Sequence, residues 1–518
     1  MKPSSADDGF VQQPPVLVNQ FEDDFSFKRC FRLFLPAHVQ AATESEVSAL
    51  GRRVLDDDVY SCISDAERNE PYVRGGGRDV FGRLSGEVVT AEGWRRLRDL
   101  GIAKGIVACG YDTPYGPYSR PLQFLCTHLW SPSSANTACP GAMQDGAASL
   151  LRWHLKESSL EARQRRAMEH VFRRLTSRDP AEAWTSGQWM TERAGGVTSR
   201  RRRRWLFEPT KMTTVTSSWG LGLLTASSGS PVPLTDSDMA VMLARTSSGR
   251  LSAFFAPMRR KKEGGFKGVR ISRLKNKFGT RSLPTAELVL DGMRGWLIGS
   301  EGQGVRTMGP VLALTRIHSA VAAVGGIGRG LAVARAYARV RDVGGLDEGR
   351  LRTRLAEKPL HVRTLARMTA EYHGLMLLTF YAAYVLGLCE NPGEETRSGP
   401  LAAVTPEPGL TEPLLRVLTQ LVKAYVCKAS VPLMFACMES LGGIGYLSTD
   451  EPGRLDVGRI FRDVCVGPIW EGGGCCEGFL EGRGWVSVRG CGEWVEELER
   501  DSGAVFGKGR GWIRGSRL

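Results

Sequence analysis

Three long stretches of helical periodicity constrain this chain most. They run over Val305–Val343, Pro359–Leu388 and Glu412–Leu441, each far longer than a strand. A segment whose apolar residues recur at helical spacing must bury that face, and three joined by loops do so against one another as a bundle. The connection from Cys389 to Gly409 is rich in Pro, Gly and Glu and reads as a mobile loop.

Upstream the pattern changes. Between Gly187 and Leu297 the apolar residues gather into short runs, Met239–Arg245, Leu251–Pro257, Val269–Leu274 and Ala286–Asp291. Gly, Ser, Pro and Lys clusters separate them, as in a compact β domain. Residues Arg200 to Pro233 carry little strand alternation. Before that, from about Phe34 to Arg174, the spacing is again helical: Val47, Leu50, Val54 and Leu55 fall at i, i+3, i+7 and i+8. Gly75-Gly76-Gly77 marks a break, and Pro140 opens a helix over residues 139–155.

The expected class is therefore α+β, mainly α. The expected order is a polar tail (1–30), an N-terminal helical domain (31–183), a middle β domain (184–297, with an Arg-rich, aberrant 197–236), a C-terminal helical bundle (298–475) and an irregular tail (476–518).

Composition narrows the functional classes. At 518 residues, 42% hydrophobic and 24% charged, the chain can build several cores. No unbroken apolar run reaches about 18 residues, so no membrane span is expected. The start of the chain resembles neither a secretory signal nor an Arg-rich transit peptide. Twelve cysteines lack paired metal-ligand spacing, which fits free thiols in a reducing compartment and no metal site. The net charge is +14, and five of those charges sit in the single run Arg200–Arg204. That run reads as a solvated loop, with weak nucleic-acid binding as the alternative.

The segment Gly187-Gln-Trp-Met-Thr-Glu-Arg-Ala-Gly-Gly196 resembles the flavin-contacting Met-Thr-Glu-x-x-Gly-Gly-Ser-Asp of acyl-CoA dehydrogenases. Leu274-Lys-Asn-Lys-Phe-Gly-Thr-Arg-Ser, Gly295-Trp-Leu-Ile-Gly-Ser-Glu-Gly-Gln-Gly-Val, Thr315-Arg-Ile-His-Ser-Ala, Leu441-Gly-Gly-Ile-Gly-Tyr and Ile469-Trp-Glu-Gly follow in that family's order. With Cys-Pro-Gly-Ala-Met-Gln-Asp-Gly-Ala at 139–147, the set is most similar to the alkylation-response (AidB-like) branch, without its basic C-terminal domain.

The resemblance implies an FAD-dependent oxidoreductase that removes an α-proton and a β-hydride from an acyl-CoA thioester. The acceptor would be an electron-transfer protein or oxygen, and the assembly a homodimer or homotetramer. Glu471 would be the base, since α-proton abstraction needs a carboxylate in a dry pocket, with Trp470 as its apolar wall. The other reading of Glu471 is an acid at a helix start. Met190, Thr191, Gly195 and Gly196 would hold the isoalloxazine edge, Arg341 the diphosphate, and Gly442 and Gly443 the flavin of a neighbouring subunit. His318 and His361 read as packed or solvated.

Two segments, 197–236 and 473–518, leave the pattern abruptly inside a motif, as a read-through intron or a shifted frame would. The rival readings are thus a flavin-bearing nucleic-acid-binding, alkylation-response protein with little dehydrogenase activity, and an inactive product of a faulty gene model. Ser516-Arg517-Leu518 resembles a peroxisomal address, with cytoplasm or mitochondrion as alternatives.

Overall fold

Helix formation begins inside the segment whose composition looks like a tail. The computed structural model describes residues 13–83, 87–158, 160–190, 221–233, 237–246, 248–258, 268–343, 353–392, 401–448 and 455–471. Asn19 caps α1 (Gln20–Asp23) and Asp24 caps α2 (Phe25–Phe34), each through a side-chain oxygen. Phe27, Cys30, Phe31 and Phe34 fall at i, i+3, i+4 and i+7 and are all buried. Phe21 meets Phe27 and Phe31 edge-on, with centroids 5.8 and 5.4 Å apart. The polar-tail reading of 1–30 is corrected for residues 20–30. Glu22, Asp23 and Asp24 dominate the composition there, while the aromatic spacing carries the helix.

The first helical part continues with α3 (Ala37–Arg53) and α4 (Asp57–Arg68). A two-strand ribbon follows, β1 (Tyr72–Val73) and β2 (Val88–Val89), with Gly75, Gly76 and Gly77 at positive φ between them. Then come α5 (Glu92–Ala103), α6 (Cys109–Asp112), α7 (Ser119–Trp130), α8 (Ala138–Leu155) and α9 (Ala162–Leu175).

A six-stranded sheet follows, built from β3 (Ser186–Trp189), β4 (Leu221–Pro233), β5 (Met239–Arg245), β6 (Leu251–Pro257), β7 (Val269–Leu274) and β8 (Thr285–Ile298). The order is β3-β5-β6-β8-β4, with β7 also on β8. Only β3–β5 is parallel among these pairs. Alternation gives the sheet two buried faces. Met239 and Val241 lie with Ala147, Leu151 and Met308 of the helical parts, whereas Ala240 and Met242 lie with Trp189, Leu288 and Leu290.

Two strand expectations change. Residues 221–233 do form a strand, which pairs antiparallel with β8 through two register shifts, after Leu224 and after Ser228. Its Gly- and Ser-rich sequence hid the strand, because backbone pairing needs no alternation. Strand β8 also runs on through Gly295-Trp-Leu-Ile298, and the turn follows it. Residues 191–220 and 472–518 lie outside the described residues, so the Arg200–Arg204 run and most of both aberrant segments do too.

The bundle is made of α10 (Gly304–Thr307), α11 (Gly309–Val340), a ribbon β9 (Asp342–Val343) with β10 (Thr353–Arg354), α12 (Pro359–Glu390), α13 (Pro408–Glu439) and α14 (Val457–Val464). Helix α11 is its centre. A Cβ on Gly325 would meet the His128 carbonyl oxygen at 2.7 Å, so the absent side chain is what lets α7 approach. Helices α11, α12 and α13 are long and apolar enough to cross a membrane by length and composition, although no apolar run is unbroken. In the fold, 78%, 61% and 50% of their apolar windows are buried. The loop expected from Cys389 starts later, because Glu390 still belongs to α12.

One core contact predicts a pH effect. His128 is buried with its Nε2 2.9 Å from the Tyr372 hydroxyl, which donates to Asp24 Oδ2 at 2.7 Å. Burial, then the Arg329 charge, push the imidazole pKa down to about 3. The unfolded chain takes up a proton below its ordinary 6.5, whereas the folded chain does not until about 3. Stability therefore falls with pH across that window, by roughly 3 kcal/mol at pH 4. His128→Gln is expected to flatten this limb in urea titrations; an equally steep limb would assign the acid loss elsewhere.

Candidate active site

The segment carrying Glu471 is launched by α14. Asp456 caps that helix by accepting the Arg459 N–H at 2.8 Å. Tight turns then carry the chain past Gly467, whose N–H reaches the Val464 carbonyl at 3.0 Å, and past Ile469 and Trp470, whose N–H groups reach Val466 at 2.9 and 3.2 Å. Glu471 ends this path at φ +58°, the left-handed region that a side chain disfavours.

Its carboxylate meets α11. Ser319 Oγ donates to Glu471 Oε2 at 2.9 Å. Burial raises the Glu471 pKa above the ordinary carboxylate range; Ser319, Lys423, Thr315 and Arg316 oppose this without cancelling it. Lys423, on α13, is 1% exposed and donates to the Pro468 carbonyl at 3.4 Å. Cys139, at the start of α8, senses the charges of both Lys277 and Glu471, and burial pushes its thiol up to about 12. The result is an acid whose pKa lies above the ordinary carboxylate range, held by a hydroxyl with a buried cation nearby.

The sequence-derived residues are distributed as follows. Met190 is buried just beyond β3, in the cluster that also contains Ala147, Leu151, Met308 and Val311. Val311 lies about 12 Å along α11 from Ser319, so Met190 and Glu471 border the same end of that helix. Trp470 is half-buried, and its indole N–H is buried without a partner. Thr191, Gly195 and Gly196 lie outside the described residues. Gly442 and Gly443 are exposed in the turn after α13, with φ +64° at Gly442. Arg341 follows the far end of α11, about 33 Å along the helix axis from Ser319, and is not beside Glu471. Ser319 and Lys423 had no assigned role; the detectable signal was a lysine on the apolar stripe of α13 with Val422, Val426 and Cys427, all buried.

A second polar centre braces α11 one residue away. Arg120, 1% exposed on α7, forks onto Glu390 at 2.6 and 2.8 Å. It also donates to Asp145 Oδ1 at 2.8 Å and to the Tyr111 hydroxyl at 3.1 Å. Asp145 Oδ2 takes Gln123 at 2.8 Å and His318 Nε2 at 2.7 Å. Burial opposes ionisation of Asp145, but Arg120 and His318 outweigh it and hold the carboxyl well below its ordinary range. His318 is thus a packed histidine. His361 lies on α12 with burial lowering its pKa. A cavity of about 40 Å³ lined by Val107, Thr127, Pro140, Gln144 and His318 adjoins this centre; it is of water size.

The described residues fit a flavin at one edge. The Trp470 indole N–H, next to Glu471, is a buried donor without an acceptor, and buried donors ordinarily have partners. A ring system rich in carbonyl and nitrogen acceptors would supply one.

A mixed sheet packed on helices, with a carboxylate held against the central bundle helix, is the arrangement that the comparisons with known proteins match. The family model for the acyl-CoA dehydrogenase C-terminal domain matches residues 302–474. The chain is 34% identical over 477 residues to acyl-CoA dehydrogenase family member 11 of Caenorhabditis elegans, spanning 90% of this chain and 70% of the relative. It is 30% identical over 290 residues to AidB of Escherichia coli, 56% of this chain and 46% of that one. A crystal structure of Caenorhabditis elegans ACDH-11 in complex with C11-CoA superposes with a TM-score of 0.78 at 30% identity, covering 98% of this chain and 80% of the other. The chain belongs to the acyl-CoA dehydrogenase family.

Proposed function

We propose that the protein is an FAD-dependent acyl-CoA dehydrogenase that converts an acyl-CoA to its 2,3-enoyl thioester, with Glu471 as the base. The observation that carries this is the Glu471 carboxylate, held by Ser319 and raised in pKa by burial. Met190, Thr191, Gly195, Gly196 and Trp470 would hold the cofactor. A bound FAD would supply the acceptor for the β-hydrogen as hydride, with an acceptor protein or oxygen as the onward electron sink. Glu471 takes the α-proton and Ser319 keeps the carboxylate oriented.

The same reading includes a dimer or tetramer. Arg341 is too far from Glu471 to serve the same flavin site, and Gly442 and Gly443 are open to a second subunit. Because the solved relative carries C11-CoA, a medium-length acyl thioester is the first substrate to try. Purified protein reconstituted with FAD is expected to show a flavin spectrum that undecanoyl-CoA bleaches. Failure to bind flavin would refute the reading. A bound flavin that stays oxidised, with salt-sensitive DNA binding, would replace it by the alkylation-response alternative.

A further inference from the structure

Among the described residues, four that are not glycine adopt positive φ: Ala135, Asn136, Thr280 and Glu471. Strained backbone of this kind persists only where surrounding structure holds it, and it gathers at functional sites. Glu471 is one of the four. Of the other three, Asn136 and Thr280 bond the carboxylate of Asp463 and Ala135 joins them through Ser282; Asp463 lies near the end of α14, eight residues before Glu471.

Asp463 Oδ1 accepts the Thr280 N–H at 2.6 Å, while Oδ2 accepts Asn136 Nδ2 at 3.4 Å and Arg459 Nη1 at 3.2 Å. Ser282 Oγ donates to the Ala135 carbonyl at 2.9 Å and receives Asn136 Nδ2 at 3.2 Å. Arg459 also reaches the Pro132 carbonyl at 2.6 Å. The turn at Gly279 lies so close that a Cβ there would fall 2.0 Å from the Arg462 carbonyl oxygen. One carboxylate thus clasps three parts of the chain, the turn before α8, the turn after β7, and α14.

From Asp463 onward short turn hydrogen bonds, and the one that Lys423 donates to the Pro468 carbonyl, lead to Glu471. The direction in which α14 ends therefore sets where this short path starts. We propose that Asp463 is a positioning residue for the catalytic carboxylate, fixing the exit of α14 so that Glu471 meets Ser319. This rests on Glu471 being the base. In the local sequence, Arg459-Ile-Phe-Arg-Asp463, an Arg and an Asp four apart on a helix look like a surface pair.

The test uses full-length, flavin-loaded protein with undecanoyl-CoA. Asp463→Ala is expected to lower kcat per bound flavin about 10- to 100-fold, with KM changed less than about threefold. Hydrogen exchange is expected to rise in residues 465–471 but not in α11 or α12. Asp463→Asn, which keeps an oxygen for the Thr280 N–H, is expected to recover most of the rate. If Asp463→Ala does not fold, Gly279→Ala makes the same test by pushing α14 off the turn with the carboxylate intact. Unchanged kcat per flavin, or exchange rising evenly through the bundle, would reduce Asp463 to a stabilising residue and overturn the proposal. Glu471→Gln is measured alongside. If it stays active, the base assignment fails and this proposal with it. If it is inactive while Asp463→Ala turns over normally, only the positioning role fails.

Discussion

Glu471→Gln is expected to slow flavin reduction by acyl-CoA about 10²- to 10⁴-fold, the usual contribution of a positioned general base. The amide keeps an oxygen for the Ser319 hydroxyl but cannot take a proton, so flavin content and thermal midpoint are expected to stay near those of the parent protein. Stopped-flow bleaching measures the first and a thermal melt the second. The parent rate is expected to rise with pH as Glu471 ionises. Since burial raises its pKa, that rise falls above the ordinary carboxylate range, and the variant loses it. A variant that bleaches at the parent rate would place the base elsewhere.

The second large effect concerns stability. Arg120→Met is expected to cost about 3–5 kcal/mol, the range for removing one partner of a buried ion pair. The loss leaves Asp145 fully buried and Glu390 largely so, without the guanidinium that faces both. Arg120→Lys is expected to recover little, because an ammonium cannot make the two-pronged contact to Glu390 and still reach Asp145. The depressed Asp145 pKa sets the sign with pH. The contribution is complete above about pH 5, where an unfolded aspartate of pKa about 3.9 is ionised, and is lost progressively as pH falls towards the folded-state value. Chemical denaturation at pH 7 checks the magnitude, and a loss below about 1 kcal/mol would show that the network is not held as a unit. Because His318 is in that network and Ser319 is the next residue of α11, the variant is also expected to slow bleaching.

Much of the fold was legible because burial imposes periodicity. The three long apolar stretches became three helices of 32 residues each, and the four short runs became strands of one sheet. Where backbone bonding or a distant partner does the work, the signal disappears. Strand β4 has no alternation, yet it pairs along β8. Glu390 resembled the start of a loop, yet the Arg120 fork holds it at the end of α12. The aromatic stripe of α2 was present but hidden by acidic neighbours.

By itself the sequence determined the mainly helical α+β class, the order of the parts, membership of the family, and Glu471 as the acid to test. These follow from local spacing and ordered motifs, which do not depend on which distant residues meet. Tertiary structure decided what surrounds that acid: Ser319 from α11, Lys423 from α13, and the Asp463 clasp that joins turns far apart in sequence. Arg341 shows the limit from the other side. Its motif does not say which flavin site it would serve, whereas helix rise puts it about 33 Å along α11 from the serine that holds Glu471. A residue's type is written in the chain, whereas its distance from another residue is set by how the helices pack.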